Sequence, residues 1–305
     1  MLESFATRIA SCFAARKDAA VPDAGGSRSV TRIVDGNGVD FVGDLLDLID
    51  LPCIRMHEVA EHPGPALHVR HDVDHSIDNA IMIAGIEKAA GYTSTYFLLT
   101  PGAYKDRNYY GTIDRRGRIE HDPELADKCR RLLDFGHDIG FHNDLVALSL
   151  NTGRPAAEIL REEMDWFDAQ GLHLRGMAAH GNPLCRKLSF NNRELFEGCV
   201  RRGWEVGRTI RFRDNEVVLH SLDMRDFGLE YEAYSLPRDS RISESGGRWG
   251  GRVAGEQIPR EELATAFDLE RFRSIAESAS PRNGVRHMSV MTHPVYWTGC
   301  GGVKA

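Results

Sequence analysis

The sequence predicts an α/β protein with a parallel sheet, open or closed into a barrel, and three observations carry that prediction. Short β-rich segments alternate with helix-patterned ones along the 305-residue chain, the signature of repeated strand–helix–strand units. Four of the predicted strands end in aspartate or histidine, at RHDVDH (70–75), GFHND (140–144), AAHGNP (178–183) and MTHPVYW (291–297). No glycine-rich loop follows the first core strand, which argues against a nucleotide-binding sheet.

Taken in order, MLESFATRIASCFAARKD has the spacing of a short amphipathic helix, and VPDAGGSRS (21–29) is a polar, turn-forming linker. Residues 1–29 are therefore set apart, and one catalytic domain is expected over 30–305. VDFVGDLLDLID (39–50) spaces its apolar residues as a helix does. LHVRHDV (67–73) reads as the first core strand. The following helix, 76–91, has Ser76 to cap it and Gly91 to end it. STYFLLT is a strand, 122–136 a helix, DIGFH (138–142) a strand, 155–171 a helix, LRGMAAH (174–180) extended and NNRELFEGCVRRG (191–203) helical again. VGRTIRF, VVLHSL and YEAYSL read as further strands, 267–278 as a last helix and HMSVMTH (287–293) as a last strand.

Composition narrows the function. Hydrophobic residues at 42% and charged residues at 27% describe an ordinary globular chain. A formal charge of -7 supplies no overall positive field for phosphate backbones, so nucleic acid is not an expected partner. The six cysteines show no CxxC pair and read as reduced thiols. Glu3 and Arg8 make the N-terminus a poor signal peptide, and no stretch approaches the ~20 apolar residues of a membrane span. Cytoplasmic residence is the expectation.

In parallel α/β folds, loops at the carboxyl ends of strands converge on the active site. Asp72 and Asp74, two apart, suit one metal ligand and one base, although an isolated aspartate there would also cap the helix beginning near Ser76. The flanking His71 and His75 favour the first reading. His142 alone could be a core histidine, but it ends a strand and is followed by Asn143 and Asp144. His180 lies in HGNP, a turn that could hold an imidazole over a pocket or merely bond within itself. His293 precedes Pro294, which keeps it extended, and Tyr296 and Trp297 follow as an apolar wall or sugar platform. His137, before its strand, reads as structural.

RHDVDH, GHDIGFHND (136–144) and MTHP (291–294) resemble, in order, motifs of the polysaccharide deacetylase family, also called the NodB-homology family or carbohydrate esterase family four, over residues 67–297. The resemblance implies an irregular (β/α) barrel, with Asp72 as catalytic base, Asp74 and His142 as metal ligands and His293 as general acid. The family's second ligand histidine would fall at 146, which holds valine. Asp144 or His180 must then complete a three-ligand site. AAHGNP replaces the family's arginine and proline motif, and with SESGGRW (243–249) and THPVYW it marks a divergent branch. Asn182, Trp249 and Trp297 are the candidates for contact with the sugar.

The expectation that follows is a hydrolase dependent on a divalent cation, zinc first among zinc, iron, cobalt and manganese. It would remove an acetyl or formyl group from the nitrogen of an amino sugar in glycan or surface-polysaccharide metabolism. One rival keeps the fold as a metal-free sugar-binding or regulatory relative. Another is a glycosidase using Asp72 and Asp74, but two residues apart on one strand they sit too close to flank a glycosidic bond.

Overall fold

The computed structural model describes residues 30–103, 106–200, 203–258 and 267–301; the helix and linker expected over 1–29 lie outside the described residues. Strand β1 (Val30–Asp35) comes first and pairs antiparallel with the last strand, β16 (Trp297–Gly301). The segment expected as a helix over 39–50 is instead a run of turns with a short 3-10 helix at Leu46–Leu48. Its aspartates explain the difference. Asp35 Oδ1 accepts the amides of Asn37 and Val39, and Asp44 Oδ2 accepts that of Asp40, local bonds that compete with a helix. The apolar spacing still marks burial, since Val39, Phe41, Leu45 and Leu46 are all in the core.

Eight buried residues form β2 (Ala66–Val73). Helix α1 (Ile77–Ala90) follows, with Ser76 Oγ accepting the Asn79 amide and Gly91 turning left-handed at φ 84°, as the sequence predicts. β3 (Ser94–Leu99) leads into a small antiparallel sheet of β4 (Arg107–Asn108), β5 (Gly111–Ile113) and β6 (Ile119–His121). Next come α2 (Leu125–Asp134), β7 (Asp138–Asn143), α3 (Leu145–Thr152), α4 (Ala156–Ala169), β8 (Gly176–Ala179) and the short α5 (Pro183–Leu188). Among the described residues, the helix expected over 191–203 is only a 3-10 turn at Asn192–Leu195. β9 (Thr209–Phe212) and β10 (Asn215–Val218) make a hairpin. β11 (Tyr231–Glu232), β12 (Ser240–Ser245), β13 (Arg248–Val253), β14 (Glu256–Ile258), α6 (Leu269–Glu277) and β15 (His287–Thr292) complete the order.

Nine strands make the central sheet, in the order β11-β8-β7-β3-β2-β15-β12-β13-β14. Neighbours from β11 to β12 are parallel, and β13 and β14 add an antiparallel edge. The class is thus mixed α/β. Among the described residues, no pairing of β11 with β14 closes the sheet into a barrel.

Alternation along β2 sends Arg70 and Asp72 to one face and His71 to the other. His71 Nε2 meets Glu87 Oε1 at 2.9 Å, and Ser94 and Tyr96 hydroxyls donate to the same buried carboxylate. The network ties β2, β3 and α1 together behind the sheet. His137 is structural as expected, bonded to the Ala84 carbonyl and the Ser94 amide. Among the described residues, no helix is long and apolar enough to cross a membrane. Cys53, Cys129, Cys185 and Cys199 are free thiols.

Candidate metal centre

Three parallel strands of the central sheet, β2, β7 and β8, deliver the candidate ligands at their carboxyl ends. Asp74 follows β2, His142 lies within β7 and His180 follows β8. One ligand atom from each lies within 4.8 Å of the other two. Asp74 Oδ1 stands 3.3 Å from His142 Nε2, close to the ~3.4 Å between donors sharing a tetrahedral ion at ~2.1 Å. The His142 and His180 rings meet edge to face at 5.1 Å.

His142 is held from behind by a hydrogen bond, and His180 has a carboxylate beside it. His142 Nδ1 donates to the Ala178 carbonyl at 2.8 Å, which leaves the lone pair on Nε2, the atom facing Asp74. His180 Nδ1 lies 3.4 Å from Asp144 Oδ1. Burial disfavours its charged form, but Asp144 and the two site aspartates outweigh this and raise its pKa. Desolvation opposes the charge of the half-buried Asp74, yet His142, His293 and His180 hold its carboxyl well below the usual range.

Asp144, one of the two candidates for the third ligand, is occupied elsewhere. Its Oδ1 accepts Asn192 Nδ2 at 2.8 Å and its Oδ2 accepts Asn182 Nδ2 at 2.8 Å. It is 2% exposed and falls outside the converging set, so it orients His180 and the loop rather than facing an ion. Position 146 could not have supplied a donor here. Val146 is on α3 inside the apolar core, and His180 enters from the adjacent strand.

Asp72 and His293 flank the three ligands. Asp72 Oδ2 is 3.8 Å from His142 Nε2 and 2.9 Å from the Arg70 guanidinium, while its Oδ1 is buried with no hydrogen-bond partner. Burial opposes its charge, but Arg70, His142 and His293 prevail and keep the carboxylate ionised. His293 Nε2 lies 3.8 Å from Asp74 Oδ2. Its Nδ1 and its backbone amide both point at Glu244 Oε2, at 3.1 and 3.0 Å. Burial lowers the imidazole's pKa, and Glu244 with the two aspartates more than reverses this, to about 9.

Two sugar-contact expectations are corrected. Trp249 and Trp297 are fully buried, packed with Phe41 and Phe272 behind the sheet, and Trp249 Nε1 donates to Asp35 Oδ2. Neither can reach a substrate. Asn182 caps α5 through its Oδ1 and bonds Asp144 through its Nδ2, which fixes the orientation of its partly exposed amide. Tyr296, 6.2 Å from the His293 ring and half-buried, is the aromatic that borders the site. The flanking His71 belongs to the Glu87 network.

Sequence reasoning missed Arg70, Glu244 and Asn192 as site residues. Arg70 and Glu244 lie inside the segments RHDVDH and SESGGRW, where their chemistry depends on strand partners far along the chain. Asn192 gave no signal, yet its buried amide joins Asp144, the His180 carbonyl and the amides of Val146 and Ala147. No protein-family model, curated protein or solved structure matches the chain.

Proposed function

We propose that the chain is a metal-dependent hydrolase that removes a small N-acyl group, acetyl or formyl, from an amino sugar. The observation behind this reading is the convergence of Asp74, His142 and His180 between a buried carboxylate, Asp72, and a carboxylate-backed imidazole, His293. The donor set of one carboxylate and two imidazoles suits zinc and also iron, cobalt or manganese. A divalent cation held there would polarise the substrate carbonyl and acidify a water.

The chain's own residues supply the proton transfers. Asp72, ionised and fixed by Arg70, takes the proton of the attacking water. His293 keeps its proton to neutral pH because Glu244 stabilises the imidazolium, and it gives that proton to the departing nitrogen, which is otherwise a very poor leaving group. Asn192 and Asp144 fix the loop that carries His180, so the ligands meet without rearrangement. The irregular barrel and the role in glycan metabolism belong to the same proposal.

The Asp72 and His293 variants separate chemistry from metal binding. Asp72→Asn and His293→Ala should each retain the cation while turnover of an N-acetyl amino sugar falls by roughly 10²-fold or more. An aryl ester of the same acyl group, whose phenolate leaves without a proton, should rescue His293→Ala much more than Asp72→Asn. Equal rescue of both would reverse or abolish the assigned roles.

A further inference from the structure

The proposed chemistry uses Arg70 only as the partner of Asp72, yet the same guanidinium lines a cavity of about 180 Å³ with Tyr234, Arg238, Arg241, Ser243 and Ser289. Strand register fixes where this cavity lies. Arg70 pairs with Met291 of β15, which pairs with Ser243 of β12, and Arg241 pairs with Ser289. Asp72 and His293 come two residues further along their strands, so the cavity sits about 7 Å below the candidate centre on the same face.

Its charges are unbalanced. Asp72 pairs with Arg70, but among the described residues no carboxylate lies within ion-pair distance of Arg238 or Arg241. Arg238 has a 3.4 Å bond to the Ala233 carbonyl and lies over the Tyr234 ring. Burial and then the Arg70 charge depress its pKa, as crowded cations require. Glu232, the other carboxylate near Arg70, is pushed by burial toward its neutral form. Arg70 itself is 2% exposed, and its Nε is buried with no hydrogen-bond partner, a cost that a bound acceptor would remove. Guanidiniums converging with hydroxyls on one cavity form the donor set of a carboxylate or phosphate.

We infer that this cavity is an anion subsite, which holds a carboxylate or phosphate group of the same substrate whose amide is cut at the centre above. The word substrate rests on the hydrolase reading, while the binding of an anion does not. An anionic group tethered one sugar's breadth from the amide would orient that amide between Asp72 and His293. A neutral amino sugar would leave the buried Arg70 Nε without an acceptor and the crowded guanidinium charges without a counter-charge, so the site selects acidic or phosphorylated sugars over neutral ones.

The test is calorimetric titration of the purified chain with inorganic phosphate and, separately, with glucuronate. It is run on wild type, Arg241→Gln, Arg238→Gln and Asp74→Ala, with thermal melts to check folding. At least one probe should bind wild type, about tenfold more weakly in each arginine variant, and more weakly as salt rises. The tighter probe identifies the group as carboxylate or phosphate. Binding should persist in Asp74→Ala, which removes a ligand of the proposed cation. Should Arg238→Gln fail to fold, Arg241→Gln decides alone, because that side chain is exposed. If neither probe binds wild type, or Arg241→Gln binds as tightly as wild type, the subsite is refuted. Loss in Asp74→Ala alone would place the anion on the cation and also refute it. Anion binding to a wild-type chain that takes up no metal would overturn the hydrolase reading and leave the subsite standing.

Discussion

At the scale of single residues, the candidate centre pairs Asp72 and His293 each with an opposite charge. Asp72 gains Arg70 and His293 gains Glu244, and the two partners shift their pKa values apart, downward for the proposed base and upward for the proposed acid. The sign of the pH dependence follows. A general acid works only while protonated, so activity is present below the His293 pKa and is lost as pH rises through it, at or below about 9 once a cation shares the site. Glu244→Gln removes the strongest stabiliser of the imidazolium. Its pH–rate profile should show the alkaline limb displaced to lower pH, with the acidic limb in place. An unmoved alkaline limb would mean that His293 is not the acid or that Glu244 does not govern it. Glu244 is fully buried and also accepts the Gly247 amide, so the glutamine, which keeps the shape, is the variant to use rather than alanine.

At the scale of elements, the ligands are placed by strands whose close approach depends on missing side chains. Gly140, two residues before His142 on β7, faces Phe97 of β3. A Cβ there would lie 2.5 Å from the Phe97 ring and 2.9 Å from the Gly176 carbonyl, so backbone on one side and a fully buried ring on the other would have to move. Gly140→Ala should therefore destabilise the chain by roughly 1–3 kcal/mol, read from the urea midpoint, the usual cost of overpacking. Wild-type stability in that variant would show that β7 can shift freely. Trp249→Phe gives a complementary outcome, a loss of about 1 kcal/mol from the severed bond to Asp35 with KM unchanged, because the ring lies behind the sheet. A raised KM at full stability would return Trp249 to the substrate site. These positions show what the sequence could and could not say. The ends of β2, β7, β8 and β15 were legible because Asp74, His142, His180 and His293, far apart in sequence, all fall at the carboxyl ends of predicted strands, and Ser76 and Gly91 announced the bounds of α1. The segment 39–50 has helical spacing without a helix, since aspartate side chains bond the local backbone instead, and among the described residues of 191–203 only the 3-10 turn capped by Asn191 forms. Trp249 and Trp297 were misread because proximity in sequence to a site segment says nothing of which face of a strand a ring takes. Asp144 and His180 could not be told apart until Asn182 and Asn192, one on either side, were seen to occupy both oxygens of the aspartate.

At the scale of the whole molecule, a cation at this centre would act as a clasp across the sheet. Asp74, His142 and His180 come from β2, β7 and β8, and β3 lies between the first two. None of these donors is near the others along the chain, so the unfolded protein offers no comparable site and binding free energy becomes folding free energy. At a hundredfold excess over Kd the linkage is about 2.7 kcal/mol, roughly several degrees in melting temperature for a chain of this size. The wild-type chain should thus carry about one divalent ion by elemental analysis, melt lower after chelation, and recover on addition of zinc, cobalt or iron. His180→Ala should weaken retention and Asp74→Ala should abolish it. Asp144→Ala should weaken it less than His180→Ala, because its carboxylate acts on His180 and not on the ion. The comparison of the last two variants decides the third ligand, since equal retention in His180→Ala and wild type would remove His180 from the set. The absence of metal from wild type even after reconstitution would reduce the clasp to a buried cluster of ion pairs. Removing a partner from such a cluster still destabilises the fold, so a melting shift in Asp74→Ala counts for the clasp only where zinc raises the wild-type melt and leaves the variant's unchanged.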